Sequence, residues 1–590
     1  MSLLLLVGLA LLSSVTADVP NFLSATDYDL TFNIDTAKST FQGDATIGLS
    51  TSANTGSDVY NIVLHGEDLK LTYILLTNKK TTATYAINHN SVVYDKGTVT
   101  LPIKAALEKS TQYSLKIVYD GNITEGGYGL VKTTDVDKDY LTASLYPAGA
   151  RKLYPSIDRP NNRAKYTVSF NIDYNTKEEP KIVTGLKPVK EIKGKGNLKV
   201  TYDSDSKTLP PYGIAFSIGS YNYIKNIIYY PSNMKQTQFS QDIYSALQTK
   251  TIQKLISAGE LSDIKIVIVP NLLVESVSGY GFTALSKDIS AATPSSPSSG
   301  LKAHTLTVLK ALVKSIYGIH ISPASWEDIW ITEAVSIYLS SLALPEIDGW
   351  NSWTVGTLEA QQVALESSWS EDSRPVRPDS YSSVDEVIQF ISDSAAYKGA
   401  SILGMIENVP TSYELGSALI QILIDRTGKT VSSDEFLDKY QLFSYLNGTL
   451  PDKGTLKDLI NPWLQQTGYP AITITRKNND IVASQSRFRP NKNTQSSWII
   501  PVWNSQSTNG SRDSLAWLTG GINTEYKLAQ NVKPNETVVV NVKGPGLYRV
   551  LYDQHELELI GNNLLKDINY APIEVRTAII SDGFAFAKAG

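Results

Sequence analysis

The chain has 590 residues, 42% of them apolar and 19% charged, with a formal net charge of -5 and no cysteine. That length exceeds what one hydrophobic core organises and implies three or four domains. No basic block is present to favour nucleic acid or anionic lipid, and without a thiol neither thiolate catalysis nor a thiolate metal site is available.

The chain opens with MSLLLLVGLALLSSVTA. The apolar run from Leu3 to Leu12 is too short to cross a bilayer, and small residues follow it. Residues 1–17 therefore read as a signal peptide cleaved after Ala17, and a secreted or cell-surface location is expected. Sequons at Asn122, Asn447, Asn509 and Asn535 agree with that route and are expected to carry glycans. From 18 to 219 the pattern alternates with period two, as in YDLTFNIDT, AKYTVSFNIDY and NLKVTYDS, which predicts an N-terminal β domain built as a large sandwich.

From 220 to 468 the period changes. QTQFSQDIYSALQTKTIQKLISAG reads as helix and DIKIVIVP as a buried strand; further helices are expected over Ala303–Ile316, Ser325–Leu342, Ser394–Asn408 and Ser412–Arg426. The Ser/Pro-rich TPSSPSSG, Thr293 to Gly300, reads as a surface loop. Strands return from 469 to 553 as a small β-sandwich, and helix restarts over 554–590 at HELELIGNNLL. The final helix stops without a tail, so the chain is expected to continue into a C-terminal helical domain. Membrane association is expected only through an anchor lying outside these residues. The fold class is multidomain α+β.

One stretch concentrates the functional question. In LTVLKALVKSIYG, Leu306, Leu309, Val313 and Ile316 share one helical face, while Lys310 and Lys314, four apart, share another. On periodicity this reads as a solvated lysine stripe on an amphipathic helix. In the next helix, Ser325 and Asp328 have the spacing of a capping box. Glu333 lies two turns further among Trp330, Val335 and Ile337, and a carboxylate in such company needs a partner.

The segment IYGIHISPASWEDIWITEAVSIYL resembles the corresponding segment of the aminopeptidase N family of gluzincin zinc aminopeptidases. Six more segments resemble that family in the same order: SLYPAGARKLYPSIDRPNNRAKYTVSF, YGIAFSIGSY, PNLLVESVSGYGFTALSKD, VDEVIQFISDSAAYKGASILGMI, GLYRVLYD and APIEVRTAIISDGFAFAKAG. The resemblance implies a thermolysin-like α/β domain over 220–468 and a helical domain beginning at 554. It also implies an activity, release of N-terminal residues from peptides, and one zinc ion.

The residues on which that chemistry rests are replaced. The family motif H-E-x-x-H supplies two zinc-binding histidines and a general base, with a third ligand, Glu, nineteen residues on. Lys310 and Lys314 stand at the histidine positions, Ala311 at the base, and only Glu333 keeps its ligand position. A protonated ammonium has no lone pair for a metal. The resemblance puts Ser278 at the family's substrate-amine anchor, with Glu275 three residues away, and Ala396 at its transition-state tyrosine; Tyr397 next door would point about 100° away on a helix. None of His65, His89, His304, His320 and His555 has the i, i+4 spacing of a helical zinc site. No cofactor is therefore expected. Lys310 and Lys314 are expected to replace the metal's charge beside Glu333, unless the cleft has opened and all three face water. The expectation is a secreted pseudopeptidase binding a peptide, protein or glycan. The alternatives are a working zinc aminopeptidase and a cell-surface receptor or adhesion module.

Overall fold

The computed structural model describes residues 19–589, except 175–177, 235–238, 262–263, 288–297, 348–352, 371–372, 393–394, 410–414, 444–449, 452–453, 490–495, 506–512 and 523. The leader, Asn447, Asn509 and most of the Ser/Pro-rich segment thus lie outside the described residues.

Period-two burial builds the N-terminal region. In the strand Leu23–Asp35, Tyr28, Leu30, Phe32 and Ile34 all point into the core. This strand pairs antiparallel with Thr40–Thr51 and parallel with Lys165–Asp173, at the centre of a 12-stranded sheet. The core beneath is aromatic. Tyr28 stacks on Tyr166 with centroids 5.0 Å apart, and Phe170 meets Phe216 edge-on at 4.6 Å. Asn122, at the end of the strand Gln112–Thr124, is exposed.

Phe216–Gly219 is still part of that sheet, and Tyr221–Ile224 opens a second, five-stranded one. Its edge strand, Ser276–Gly279, runs antiparallel to Phe282–Ser286. The helix Ser298–His320 packs on that edge strand and on the helix Trp330–Ala343, which in turn packs on Ala395–Glu407. A continuous apolar core joins these helices to the strands after 470. Pro470–Lys477, Asp480–Arg487, Tyr526–Ala529 and Arg549–Tyr552 form a four-stranded sheet, beside the ribbon Ile500–Ser505 with Asp513–Leu518. The helices Gln554–Lys566 and Ile573–Ala589 close the described chain, the first capped by Asp553, which accepts the Glu556 N–H at 2.9 Å. The chain is thus a mixed α/β molecule with a β-rich N-terminal part and a helical part. No described helix is long and apolar enough to cross a membrane.

Several elements differ from their sequence reading. The single helix expected from Gln236 onwards is two, Phe239–Gln248 and Lys250–Ala258, because Thr249 starts a new helix by accepting the Ile252 N–H. The lysine-bearing helix starts at Ser298, inside the segment read as loop. Helices at Trp353–Ser368, Ser433–Phe443 and Leu456–Gln465 were not marked by periodicity. Ser325 caps no backbone N–H; its hydroxyl donates to Asp328 Oδ2 at 3.0 Å, while Asp328 Oδ1 accepts the Ser433 N–H and O–H at 2.8 and 2.6 Å. The expected local cap is a tertiary tie to the helix Ser433–Phe443.

Candidate functional site

The site forms where the lysine helix, the glutamate helix and the N-terminal sheet domain meet. On the helix Ser298–His320, Leu309, Leu312, Val313 and Ile316 are fully buried. This leaves Lys310 and Lys314, half-buried, facing a cavity of about 500 Å³ rather than bulk solvent. The solvated-stripe reading of the lysines therefore does not hold.

Glu333 enters the cavity from the first turn of Trp330–Ala343, with a side chain only 3% exposed. Its two oxygens are separately engaged. Lys314 Nζ lies 2.6 Å from Oε2, and the Tyr146 hydroxyl donates to Oε1 at 2.7 Å. Tyr146 comes from the N-terminal domain, and the Lys314 ammonium also lies 5.6 Å from its ring centroid. Burial first, then the Glu333 charge, push the Tyr146 phenol well above its usual pKa, so it donates as a neutral hydroxyl. Tyr128, another cavity residue of the N-terminal domain, is shifted upward by the same two causes. Sequence reasoning missed both tyrosines. Tyr146 lies within a segment singled out for its resemblance, but nothing in one dimension pairs it with Glu333.

Lys310 does not reach Glu333. It lines the cavity, and among the described residues it has no hydrogen bond or ion pair. The expected double pairing is thus a single pair with Lys314. Ala311 is fully buried, and its carbonyl accepts the hydroxyl of Ser278 at 3.1 Å, so Ser278 is tied to the lysine helix. Ala396 presents a methyl group to the cavity, and Tyr397 lines it too, although the helical angle predicts that it points elsewhere. Glu275 faces the same space and accepts the Thr307 hydroxyl at 3.3 Å.

The neighbouring helix Ala395–Glu407 carries Lys398-Gly399. A Cβ at Gly399 would lie 2.9 Å from that of Ala334, so the missing side chain lets this helix approach the glutamate helix. Lys398 is buried, donates to the Gln466 carbonyl at 2.8 Å, and has its pKa lowered to about 7 by burial and then by Arg487.

His65 Nδ1 accepts the Asp158 N–H at 2.9 Å, and His320 packs against Tyr280 with the rings tilted and their centroids 5.2 Å apart, its pKa lowered by burial to about 3. His89 and His555 are exposed, and among the described residues no cluster of three His, Cys, Asp or Glu side chains could hold an ion.

Two family models match the chain in sequence order. The Peptidase M1 N-terminal domain covers residues 24–206, and the Peptidase family M1 domain covers 223–463. The chain belongs to the M1 aminopeptidase N family. Among relatives, aminopeptidase N of Bos taurus is 23% identical over 82% of this chain and 53% of that protein. Aminopeptidase M1-A of Oryza sativa subsp. japonica is 22% identical over 97% and 65%, and aminopeptidase N of Homo sapiens 22% over 82% and 52%. This M1 chain thus spans about half to two thirds of the length of the curated relatives it matches. The zinc implied by the family does not fit the side chains at the ligand positions. Two of the three are ammonium groups, and one of these already sits on the only carboxylate, whose second oxygen accepts from Tyr146.

Proposed function

We propose that this M1 family member binds a ligand in the cleft around Lys310, Lys314 and Glu333 without hydrolysing peptides. The observation that carries the reading is the Lys314–Glu333 pair at 2.6 Å, an internal cation on the carboxylate that would otherwise be a metal ligand. Loss of the base side chain at Ala311, and of a hydroxyl at Ala396, is consistent with it. Each such group is worth orders of magnitude in rate where it is used.

A second reading, a metalloaminopeptidase, is favoured by the names of the relatives, all aminopeptidases among those cited above. Metal analysis of the purified protein, with turnover of aminoacyl-anilides measured with added zinc and with chelator, separates the two. We expect substoichiometric zinc and no chelator-sensitive turnover; one zinc per chain with turnover lost to chelator establishes the enzyme instead.

We further propose that the chain is secreted or displayed at a cell surface and glycosylated. Asn122 and Asn535 are exposed, as acceptor sites must be. A mass unchanged by amide-glycosidase treatment of protein from secreting cells would refute the glycosylation.

A further inference from the structure

A second cavity, of about 210 Å³, lies where the end of the helix Trp353–Ser368, the four-stranded sheet and the helix Ile573–Ala589 meet, and it shares no lining residue with the cleft. Its charges are unevenly matched. The fully buried Arg549 side chain donates to the Tyr469 hydroxyl at 3.1 Å, to Asp582 Oδ1 at 2.9 Å and to Glu366 Oε1 at 2.7 Å, so both nearby carboxylates are already engaged. Two further cations in the wall have no such partner. Arg489, half-buried, makes no hydrogen bond or ion pair among the described residues, and its Nε is shut off from solvent without an acceptor. Its guanidinium carbon lies 3.8 Å from the ring centroid of Trp369, a stack that fixes the planar group and leaves its edge donors unused. Lys588, exposed in the last turn of the final helix, lines the same cavity and has no ion pair among the described residues. Phe488 and Phe584 add aromatic wall, and Phe584 is 77% exposed.

We infer that this cavity is a binding site for a small aromatic carboxylate. The ligand's carboxylate sits on Arg489, with Lys588 as the second cation, and its ring covers Phe584. A charged donor shut away without an acceptor is costly, and a carboxylate supplies the acceptor in the two-pronged geometry a guanidinium favours. An inorganic anion would satisfy Arg489 but leave Phe584 against water. A neutral ring would cover Phe584 but leave Arg489 unpaired. Size agrees, since a cavity of roughly 150 Å³ is enough to hold benzene. The site stands apart from the cleft, so its occupancy does not depend on whether peptides are hydrolysed there.

Calorimetric titration of the full chain with phenylacetate, phenylacetamide and inorganic phosphate tests this. Phenylacetate is expected to bind at least roughly tenfold more tightly than either of the others, because the amide lacks the charge and phosphate lacks the ring. Arg489→Met keeps an apolar chain against Trp369 and should abolish the preference for phenylacetate over its amide. Lys588→Met should weaken phenylacetate binding by less than Arg489→Met does. Thermal unfolding of each variant checks that the fold is retained, and Lys588→Met, at an exposed position, keeps the test valid if the Arg489 variant is unstable. Absence of phenylacetate binding at millimolar concentration, or equal affinity for phenylacetate and either analogue, overturns the assignment. So does an affinity unchanged in both variants, which would put the bound phenylacetate elsewhere on the chain, the cleft included.

Discussion

Lys314 and Lys398 lie on different helices, both in contact with the glutamate helix, and fare very differently. Lys314 retains some exposure, 21% of its side chain, and meets a carboxylate at 2.6 Å. Lys398 is buried against a backbone carbonyl with an arginine nearby, and its pKa falls to about 7. A carboxylate stands beside Lys314, whereas burial disfavours the Lys398 ammonium with no carboxylate contact among the described residues.

Substitutions test this contrast, beginning with the strongest. Lys314→Met leaves Glu333 buried with only Tyr146, and is expected to cost about 3–5 kcal/mol in urea unfolding, whereas Lys314→Met with Glu333→Leu should recover most of the loss. If the single change costs under about 1 kcal/mol, the pair is not holding the site.

For Lys398 the sign follows from the lowered pKa. The unfolded chain takes up its proton near 10.5 and the folded chain only near 7. Wild-type stability relative to Lys398→Met should therefore fall as pH drops from about 10 to 7, by about 1.4 kcal/mol per unit, and level off below. A stability difference flat from pH 7 to 9 would show the lysine to be solvated.

Gly399→Ala drives a methyl group to 2.9 Å from Ala334 Cβ and is expected to cost about 2 kcal/mol, read as a lowered Tm. Smallest of the four, Tyr146→Phe removes one hydrogen bond to the Glu333 carboxylate and should cost about 1.5 kcal/mol, most of it absent when Glu333 is already leucine.

Much of this was readable in one dimension. Period-two burial in Leu23–Asp35 and helical period around Lys310 are local properties, set by how side chains alternate on a strand or wind on a helix. The nineteen-residue spacing from Lys314 to Glu333, and the identities of Lys310, Ala311 and Lys314, are likewise read directly from the sequence. Which lysine holds the carboxylate was not legible, since i, i+4 neighbours on one helix are equivalent until a second helix fixes the distance to each. Nor was the Tyr146 contact, made across 187 positions of sequence, or the capping role lost by Ser325 when Asp328 turned to Ser433. Composition and local periodicity point to many of the elements and to the identity of the residues on the lysine helix. Long-range packing settles which charges meet, because a Coulomb interaction or hydrogen bond depends on a few ångströms that no local pattern encodes.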